Sequence, residues 1–325
     1  MKVAVLSFAH ERAATYARLL HEMPDVDLVL ADPDGAPDDP ARGRDTARRL
    51  GSAYADSWDE LFALRPDAVV VTSETDRRRE LVERAAAAGA HVLCEHPLAA
   101  DEADALAMVR ACENAGVRLS LASPTCFGPA FAAVRRQIES GEVLGGLTTI
   151  HGAYNRPQTA QGGALDANAP ALLDMVDTVL GGIAAEQVYA QTNHILGTEP
   201  GIESAALVSV RYADGTVVSI DCSWGPAEGG PAMTFIGDRA TAEFTASPRL
   251  IGGFDSATSR ERWETRGDDP YAVMLGEFLA AARQGTGAGP DGATGVRTLR
   301  IIRAARASVR TGQPVEPAGP HTVAS

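Results

Sequence analysis

The sequence feature that most constrains the fold is a regular alternation, between Lys2 and Gly116, of short apolar runs with longer stretches rich in alanine, arginine and glutamate. Such alternation is typical of a parallel sheet whose strands are joined by crossover helices. It predicts an N-terminal α/β domain built on a doubly wound parallel sheet. The predicted strands cover 3–7, 27–31, 68–72, 91–94 and 117–121, and the predicted helices cover 10–21, 39–50, 57–63, 76–88 and 102–115.

After Ser123 the pattern changes to long alternating runs typical of antiparallel strands. Asp214-Gly215 and Gly237-Asp238 separate two pairs of these runs, as hairpin turns do. The predicted strands cover 147–154, 185–192, 205–212, 216–222, 232–235 and 240–244, and the predicted helices cover 127–140, 169–180, 271–284 and 292–310. We therefore expect a C-terminal α+β domain on an open, mainly antiparallel sheet. The expected boundaries are 1–122 for the first domain, 123–315 for the second and 316–325 for a tail.

Composition excludes several classes of function. The formal net charge of -14 opposes binding to nucleic acid, because that binding depends on cations that neutralise phosphates. Lys2 is the one lysine of the chain, so lysine-based acid–base chemistry in the core has no residue to use. The four cysteines form no CxxC pair, and no basic and apolar leader or long apolar span is present. We therefore expect a reduced, cytoplasmic protein without a membrane span.

The turn after the first strand is the first candidate binding site. In a dinucleotide-binding fold this turn normally carries GxGxxG, because glycines let the backbone approach a pyrophosphate. Here it reads Ser7-Phe8-Ala9-His10, and the backbone N–H groups of Ala9 and His10 are the candidate phosphate donors. Asp32, at the end of the second strand, is placed to accept ribose hydroxyls and would favour NAD over NADP. Asp32 also suits a simple Asp-Pro-Asp-Gly turn, and the two interpretations are compatible.

A longer motif connects this sequence with a known family. Residues 88–99 read AGAHVLCEHPLA, which resembles the AGKHVLxEKPLA hallmark of the Gfo/Idh/MocA oxidoreductases. Phe127 and Pro129 resemble the RFxP that opens their linking helix, residues 162–174 resemble their GGGxLxDxGxHxxD segment, and residues 308–315 resemble their SxxTGxPV ending. This resemblance covers nearly the whole chain. It implies a Rossmann domain followed by an open-sheet domain, a nicotinamide cofactor, and a homodimer or homotetramer formed through the sheet.

The departures from the family pattern fall on residues that normally handle protons. The family's catalytic lysine corresponds to His96, and its catalytic aspartate and histidine correspond to Ala167 and Ala171. The final aspartate of the GGGxLxDxGxHxxD segment is kept as Asp174, whereas Cys126 replaces the arginine of RFxP. The resemblance implies an NAD-dependent oxidoreductase that acts on a hydroxyl or ketone of a sugar, cyclitol or related polyol. Two alternatives stay open: a cofactor-binding partner subunit, or a redox-neutral epimerase or lyase that uses bound NAD.

Three residues are the candidate catalytic groups. His96 can exchange a proton near neutral pH and lies beside the expected nicotinamide site, although a polar residue at a strand end is the simpler interpretation. Asp174 lies on the predicted helix 169–180, close to the polar residues Asp166 and Asn168 that precede it. Asp166 and Asn168 also suit ordinary capping of the helix start, which explains them without a substrate. Tyr154 ends a strand and either contacts substrate or is solvated.

The candidate cofactor-binding residues lie at the ends of the first-domain strands. Glu95 is expected to contact cofactor hydroxyls or its own backbone. Arg77, Arg78 and Arg79 begin a predicted helix and are interpreted as a solvated face, with a minor binding role left open. The histidines share no metal-ligand spacing, so no metal site is predicted. The full set of candidate cofactor-binding residues is Ser7, Phe8, Ala9, His10, Asp32, Thr72, Ser73, Glu95 and His96.

Overall fold

A computed structural model describes residues 1–36, 39, 42–158, 162–196, 201–225, 229–246, 249–255, 260–266, 269–285, 287 and 289–317. The chain forms two compact units, Met1–Pro124 with Met274–Ile301 and Thr125–Val273 with Ile302–Ser325. The first unit therefore includes Met274–Ile301, which the sequence-based division places in the second domain. Most of the predicted tail lies outside the described residues.

The first unit is built on a six-stranded parallel sheet with the strand order β3-β2-β1-β4-β5-β6. This is the doubly wound sheet that the alternating pattern predicts. One short strand, β3, is absent from the sequence-based prediction. The elements are β1 Lys2–Leu6, α1 Ala13–His21, β2 Asp27–Ala31, α2 Gly43–Leu50, β3 Ala53–Ala55, α3 Trp58–Ala63, β4 Ala68–Val71, α4 Arg78–Ala87, β5 His91–Cys94, α5 Glu102–Ala115 and β6 Leu119–Leu121, with most of α9 Pro270–Gln284 and the first half of α10 Gly292–Thr311.

Local sequence signals explain where several of these helices begin and end. The side chain of Ser57 accepts a hydrogen bond from the backbone of Glu60 and begins α3. Asp101 does the same for α5 by accepting from the backbone of Asp104, and Gly116 ends that helix with φ of 66°, a left-handed conformation that glycine adopts without strain. The apolar strands are buried on both faces, as expected for a parallel sheet covered by helices.

The second unit is built on a six-stranded sheet with the order β12-β11-β7-β10-β9-β8. Four of its five strand pairs are antiparallel, and β7 with β10 forms a parallel pair at the centre. Both predicted hairpin turns are confirmed, since β9 pairs with β10 and β11 pairs with β12. The elements are α6 Pro124–Phe127, α7 Pro129–Ser140, β7 Leu147–Arg156, α8 Ala164–Leu180, β8 Ala185–Asn193, β9 Ala205–Tyr212, β10 Val217–Trp224, β11 Ala232–Gly237, β12 Thr241–Thr245, and a separate hairpin of β13 Arg249–Asp255 with β14 Arg260–Arg266.

The helix α8 packs against one face of this sheet. Gly152 of β7 allows the close approach, because a side chain at this position would meet Met233, Ile220 and Leu172 at 2.8, 3.2 and 3.3 Å. The helix begins at Ala164, five residues before the predicted start. The capping interpretation of Asp166 and Asn168 is therefore wrong, since both lie inside the helix.

The end of the chain is tied to the same sheet. The hydroxyl of Ser308, fully buried, accepts a hydrogen bond from the backbone of Ala190 at 3.0 Å. Val315 pairs with Val188 of β8 through two backbone hydrogen bonds of 2.8 Å. These contacts give a structural role to the Ser308–Val315 segment, which in sequence is one part of the family resemblance.

Candidate functional site

Several candidate residues of the first unit meet at the carboxyl edge of the sheet. The strand order reverses between β1 and β4, and ligands of open α/β sheets bind outside the carboxyl ends of strands at such a reversal. The register pairs Leu6 with Val71 and Val71 with Cys94, so the residues that follow these three strands are neighbours. The hydroxyl of Thr72 donates to the carbonyl of Ser7 at 2.7 Å and fixes the two strand ends together.

The turn between β1 and α1 is held by internal hydrogen bonds. Ser7 is buried and has φ of 71°, in the left-handed region that non-glycine residues rarely adopt. The backbone of Ala9 donates to the Ser7 hydroxyl at 3.3 Å, and the backbone of His10 donates to the carbonyl of Thr72 at 3.1 Å. The two N–H groups proposed from the sequence as phosphate donors thus already have acceptors inside the protein. Phe8 is also buried, against Gly43.

Glu95 is the centre of a buried polar cluster. Its carboxylate accepts a hydrogen bond of 2.5 Å from the hydroxyl of Tyr16 and one of 3.2 Å from the backbone of His96. Burial, and then the carboxylate of Glu95, raises the pKa of Tyr16 well above its usual value, so the phenol keeps its proton. Glu95 therefore anchors the end of β5 to α1 and to the backbone of the next residue, His96.

His10 lies beside this cluster with its Nδ1 atom 3.7 Å from the Glu95 carboxylate. The same Nδ1 atom accepts a hydrogen bond from the backbone of Arg12 at 3.3 Å, which requires an unprotonated nitrogen. Burial lowers the pKa of His10 below 6.5, and this effect outweighs the opposing charge of Glu95. The imidazole is therefore neutral at pH 7.

The lowered pKa of His10 predicts a pH dependence of stability. A histidine with a lower pKa in the folded state stabilises the fold above the unfolded pKa, and this contribution is lost as the pH falls below about 6.5. Chemical unfolding between about pH 7.5 and about pH 5.5 should show a smaller loss of stability in His10→Asn than in the unchanged protein. His91→Asn is compared under the same conditions and should also lose less stability than the unchanged protein. Burial, and then Arg118, lower the pKa of His91 as well. Equal losses in His10→Asn and the unchanged protein would contradict the prediction.

His96 forms a pair with Ser123, which sequence reasoning did not select. The Nε2 atom of His96 lies 2.9 Å from the hydroxyl of Ser123, which follows β6 and is buried. Parallel pairing of β5 with β6 places the two residues at the same sheet edge. A partly buried imidazole that a hydroxyl orients at one ring nitrogen can accept and release a proton at the other.

Arg78 is a second residue whose environment the sequence did not reveal. Its neighbours Arg77 and Arg79 are partly exposed in ion pairs, but Arg78 is 3% exposed. Its guanidinium donates to the carbonyl of Ser73 at 3.2 Å, to that of Glu95 at 3.0 Å and to that of Pro97. The interpretation of all three arginines as a solvated face is therefore wrong for Arg78, which joins the segments that follow β4 and β5.

Asp32 is enclosed by the start of α2. Its carboxylate accepts hydrogen bonds of 2.8 and 2.7 Å from Arg42 and one of 3.0 Å from the backbone of Gly43. The Asp32 side chain is 0% exposed, and the Arg42 side chain, 16% exposed, covers it. A ribose would reach Asp32 directly only if Arg42 moved aside.

A cavity of about 120 Å³ lies beside Asp32 and Arg42 in the first unit. Its walls pair two arginines with two aspartates, Arg42 with Asp32 and Arg44 with Asp56. The guanidinium of Arg44 stacks on the ring of Tyr54 at 4.7 Å. Flat guanidinium and aromatic surfaces beside carboxylates fit the adenosine end of a dinucleotide, so these residues would hold that part of the cofactor. The lining residues are Asp32, Pro33, Gly35, Ala36, Arg42, Arg44, Tyr54 and Asp56.

The two remaining catalytic candidates lie in the second unit. Tyr154, half-buried on β7, has its ring 5.3 Å from the guanidinium carbon of Arg156. Asp174 is fully buried on α8, near Cys126. Burial, and then the charge of Asp174, raises the pKa of Cys126 well above its usual value, so this thiol stays protonated. The structure thus groups Ser7, Thr72, Glu95 and His96 in one unit and Asp174 and Tyr154 in the other.

Neither a metal-binding cluster nor a membrane-spanning helix is found among the described residues. Within the described ranges, no group of three or more histidine, cysteine, aspartate and glutamate side chains is arranged to hold a metal ion. No helix in the described part of the chain combines the length and apolar character needed to cross a bilayer. All four cysteines are buried and unpaired, and burial raises the pKa of Cys94 to about 12 and that of Cys112 to about 11.

Comparison with known proteins finds similarity in both units of the chain. Residues 35–123 match a family model described as an oxidoreductase family with an NAD-binding Rossmann fold, and residues 131–243 match the GFO/IDH/MocA C-terminal domain. The chain is 30% identical to the myo-inositol dehydrogenase Hyg17 of Streptomyces leeuwenhoekii, covering 94% of this chain and 87% of that protein. It is 26% identical to the D-apiose dehydrogenase of Paraburkholderia graminis, covering 91% of this chain and 85% of that protein.

Solved structures share the fold over the whole chain. GenD2 from gentamicin A biosynthesis, solved in complex with NAD, has a TM-score of 0.84 at 22% identity, covering 98% of this chain and 97% of that chain. A myo-inositol dehydrogenase from Corynebacterium glutamicum has a TM-score of 0.82 at 22% identity, covering 98% of this chain and 99% of that chain. Both confirm the predicted combination of a Rossmann-type unit with an open-sheet unit.

Proposed function

Because the chain belongs to the GFO/IDH/MocA family of NAD-binding oxidoreductases, we propose that it transfers hydride to or from a CH–OH carbon of a cyclitol, sugar or related polyol. The names of the relatives support this substrate class, since they include inositol and D-apiose dehydrogenases. The observation within this chain that carries the proposal is the pair of His96 and Ser123 at the carboxyl edge of the first sheet.

In the proposed reaction His96 is the general base for the substrate hydroxyl. Oxidation of an alcohol releases a hydride from carbon and a proton from the hydroxyl. His96 accepts that proton at its imidazole, and the hydroxyl of Ser123, 2.9 Å from Nε2, orients the ring. Glu95 fixes the backbone of His96 through a hydrogen bond of 3.2 Å. When bound, NAD⁺ supplies the carbon that accepts the hydride.

The cavity beside β2 supports a preference for NAD over NADP. A 2′-phosphate is bound most readily by a cation whose charge is not already neutralised. Arg42 and Arg44 are each paired with an aspartate, so the cavity offers no excess positive charge. Asp32 therefore acts in this proposal together with Arg42, as a neutral pair beside the adenosine ribose.

We further propose that the protein is a cytoplasmic homodimer or homotetramer. The four buried, unpaired cysteines suit a reducing compartment. The sheet of the second unit has one face without α8, and on that face Leu207 is 57% and Val217 is 43% exposed. Exposed apolar side chains on a sheet face support its use as the contact between copies.

Calorimetry and a spectrophotometric assay test the proposed function. We expect NAD⁺ to bind more tightly than NADP⁺ in isothermal titration, and we expect NADH to form from myo-inositol or another cyclitol or sugar. Absence of binding by both dinucleotides would overturn the proposal. Cofactor that co-purifies and is not consumed during turnover would support the redox-neutral alternative instead.

A further inference from the structure

The carboxyl end of β7 carries an arginine whose described partners are all neutral. The Nε atom of Arg156 donates to the amide oxygen of Asn168 at 2.8 Å, and its Nη2 atom donates to the carbonyl of Ala167 at 3.2 Å. A guanidinium has five N–H donors, and these two bonds use two of them. No carboxylate of the described residues forms an ion pair with Arg156, which is only half-buried.

The position of this guanidinium is fixed on several sides. Asn168 is fully buried, and its amide nitrogen donates to the carbonyl of Ser223 at 3.3 Å, which turns its oxygen towards Arg156. The rings of Tyr154 and Trp224 lie 5.3 and 5.9 Å from the guanidinium carbon. The parallel register pairs Arg156 with Trp224, so β10 places this ring beside the arginine. The charge is therefore preorganised in a partly desolvated position, where it attracts an anion more strongly than in water.

Another arginine of the second unit, unlike Arg156, is paired with a carboxylate. Arg306 also reaches α8, but it pairs there with the carboxylate of Asp166, and both side chains are exposed. Position 167, whose carbonyl binds Arg156, is an alanine, although the family resemblance implies a catalytic aspartate there. Since no carboxylate of the described residues pairs with Arg156, its positive charge is left for a ligand.

We propose that Arg156, held by Asn168 beside the rings of Tyr154 and Trp224, is an anion subsite that selects a substrate bearing a carboxylate. The inference rests on the proposed function and narrows its substrate class from neutral polyols to hydroxylated acids such as uronic and aldonic acids. A single guanidinium beside two rings suits one planar monoanion, which can accept two parallel hydrogen bonds from it.

Matched pairs of acidic and neutral sugars test the subsite. The probes are D-glucuronate against D-glucose and D-galacturonate against D-galactose, measured by NADH formation and by calorimetry in the presence of NAD⁺. We expect kcat/KM for an acid to exceed that of its neutral partner by about tenfold or more. Arg156→Met should lower kcat/KM for the acid by about tenfold to a hundredfold, the usual effect of losing a charge-assisted hydrogen bond, and should leave the neutral sugar nearly unchanged.

Two further variants separate charge from folding. Asn168→Asp keeps the arginine but gives it an internal carboxylate, so it should also abolish the preference for the acid. Arg306→Met removes a surface arginine of the same unit and should keep the preference. Melting temperatures of all variants show whether they are folded. Equal use of acid and neutral sugar by the unchanged protein, or a preference that survives in both Arg156→Met and Asn168→Asp, would overturn the subsite.

Failure of the subsite can be distinguished from failure of the proposed function. Oxidation of neutral sugars alone, unaffected by Arg156→Met, would overturn the subsite and keep the oxidoreductase. If no sugar reduces NAD⁺, calorimetry decides: binding of D-glucuronate or D-galacturonate that Arg156→Met abolishes supports the subsite, and absence of binding overturns it.

Discussion

Replacing His96 with alanine is expected to lower turnover by about a hundredfold to ten-thousandfold, the usual contribution of a general acid or base. The imidazole is the group at the end of β5 that can take the proton of the substrate hydroxyl, and alanine removes it. Cofactor affinity should change little, because the backbone N–H of residue 96 keeps its bond to Glu95. Steady-state kinetics with NAD⁺ and calorimetry measure the two effects separately.

Control variants define what the His96 result means. Ser123→Ala should lower turnover less, by about tenfold, since the hydroxyl orients the ring and does not contact the reacting atoms. His21→Ala removes an exposed histidine of the same unit and should leave turnover unchanged. His96→Lys restores the residue type of the family motif and should keep more activity than His96→Ala. Full activity in His96→Ala would assign the proton to Asp174, Tyr154 or water.

Replacing Arg78 with methionine is expected to destabilise the protein by about 3–5 kcal/mol, because three buried carbonyls lose the donor that they share. Methionine fills much of the same space but cannot donate to the carbonyls of Ser73, Glu95 and Pro97. Each buried carbonyl that is left without a donor lowers the free energy of unfolding by about 1–3 kcal/mol. Urea unfolding followed by circular dichroism measures the change.

The neighbouring Arg77 provides a matched control. It occupies the adjacent position in sequence, but its ion pairs with Asp34 and Glu80 are exposed, and such pairs contribute about 0–1 kcal/mol. Arg77→Met should therefore have little effect on the free energy of unfolding. A loss below about 1 kcal/mol in Arg78→Met as well would show that water satisfies the three carbonyls.

The sequence predicts those parts of the fold that depend on local periodicity. The strands Asp27–Ala31, His91–Cys94 and Ala205–Tyr212 and the helix Glu102–Ala115 have the predicted bounds, because their apolar spacing and flanking residues are unambiguous. The predicted start of α8 at residue 169 is wrong, because Pro170, a residue that suits the first turn of a helix, lies inside this one. The helix continues through this proline because its apolar face is packed against the sheet, and tertiary packing outweighs local propensity.

The candidate site was less predictable, because it depends on contacts between residues distant in sequence. The place of Asp32 after β2 identifies it as a candidate, but the arginine that covers it comes ten residues later, and nothing local indicates their pairing. The sequence does not distinguish buried Arg78 from its exposed neighbours Arg77 and Arg79. The family motif identifies His96, whereas its partner Ser123 follows a different strand and has no motif of its own.

The first unit is closed by residues that the ribosome adds only after the second sheet has been made. The start of α10 packs on the sheet, where Gly292 lies against Leu119, Gly295 lies against Leu98, and Val296 and Leu299 join the apolar core. A nascent chain that has released β6 therefore carries an uncovered apolar face until α10 emerges. The dinucleotide-binding half consequently completes its apolar core only when the last helix of the chain has been synthesised.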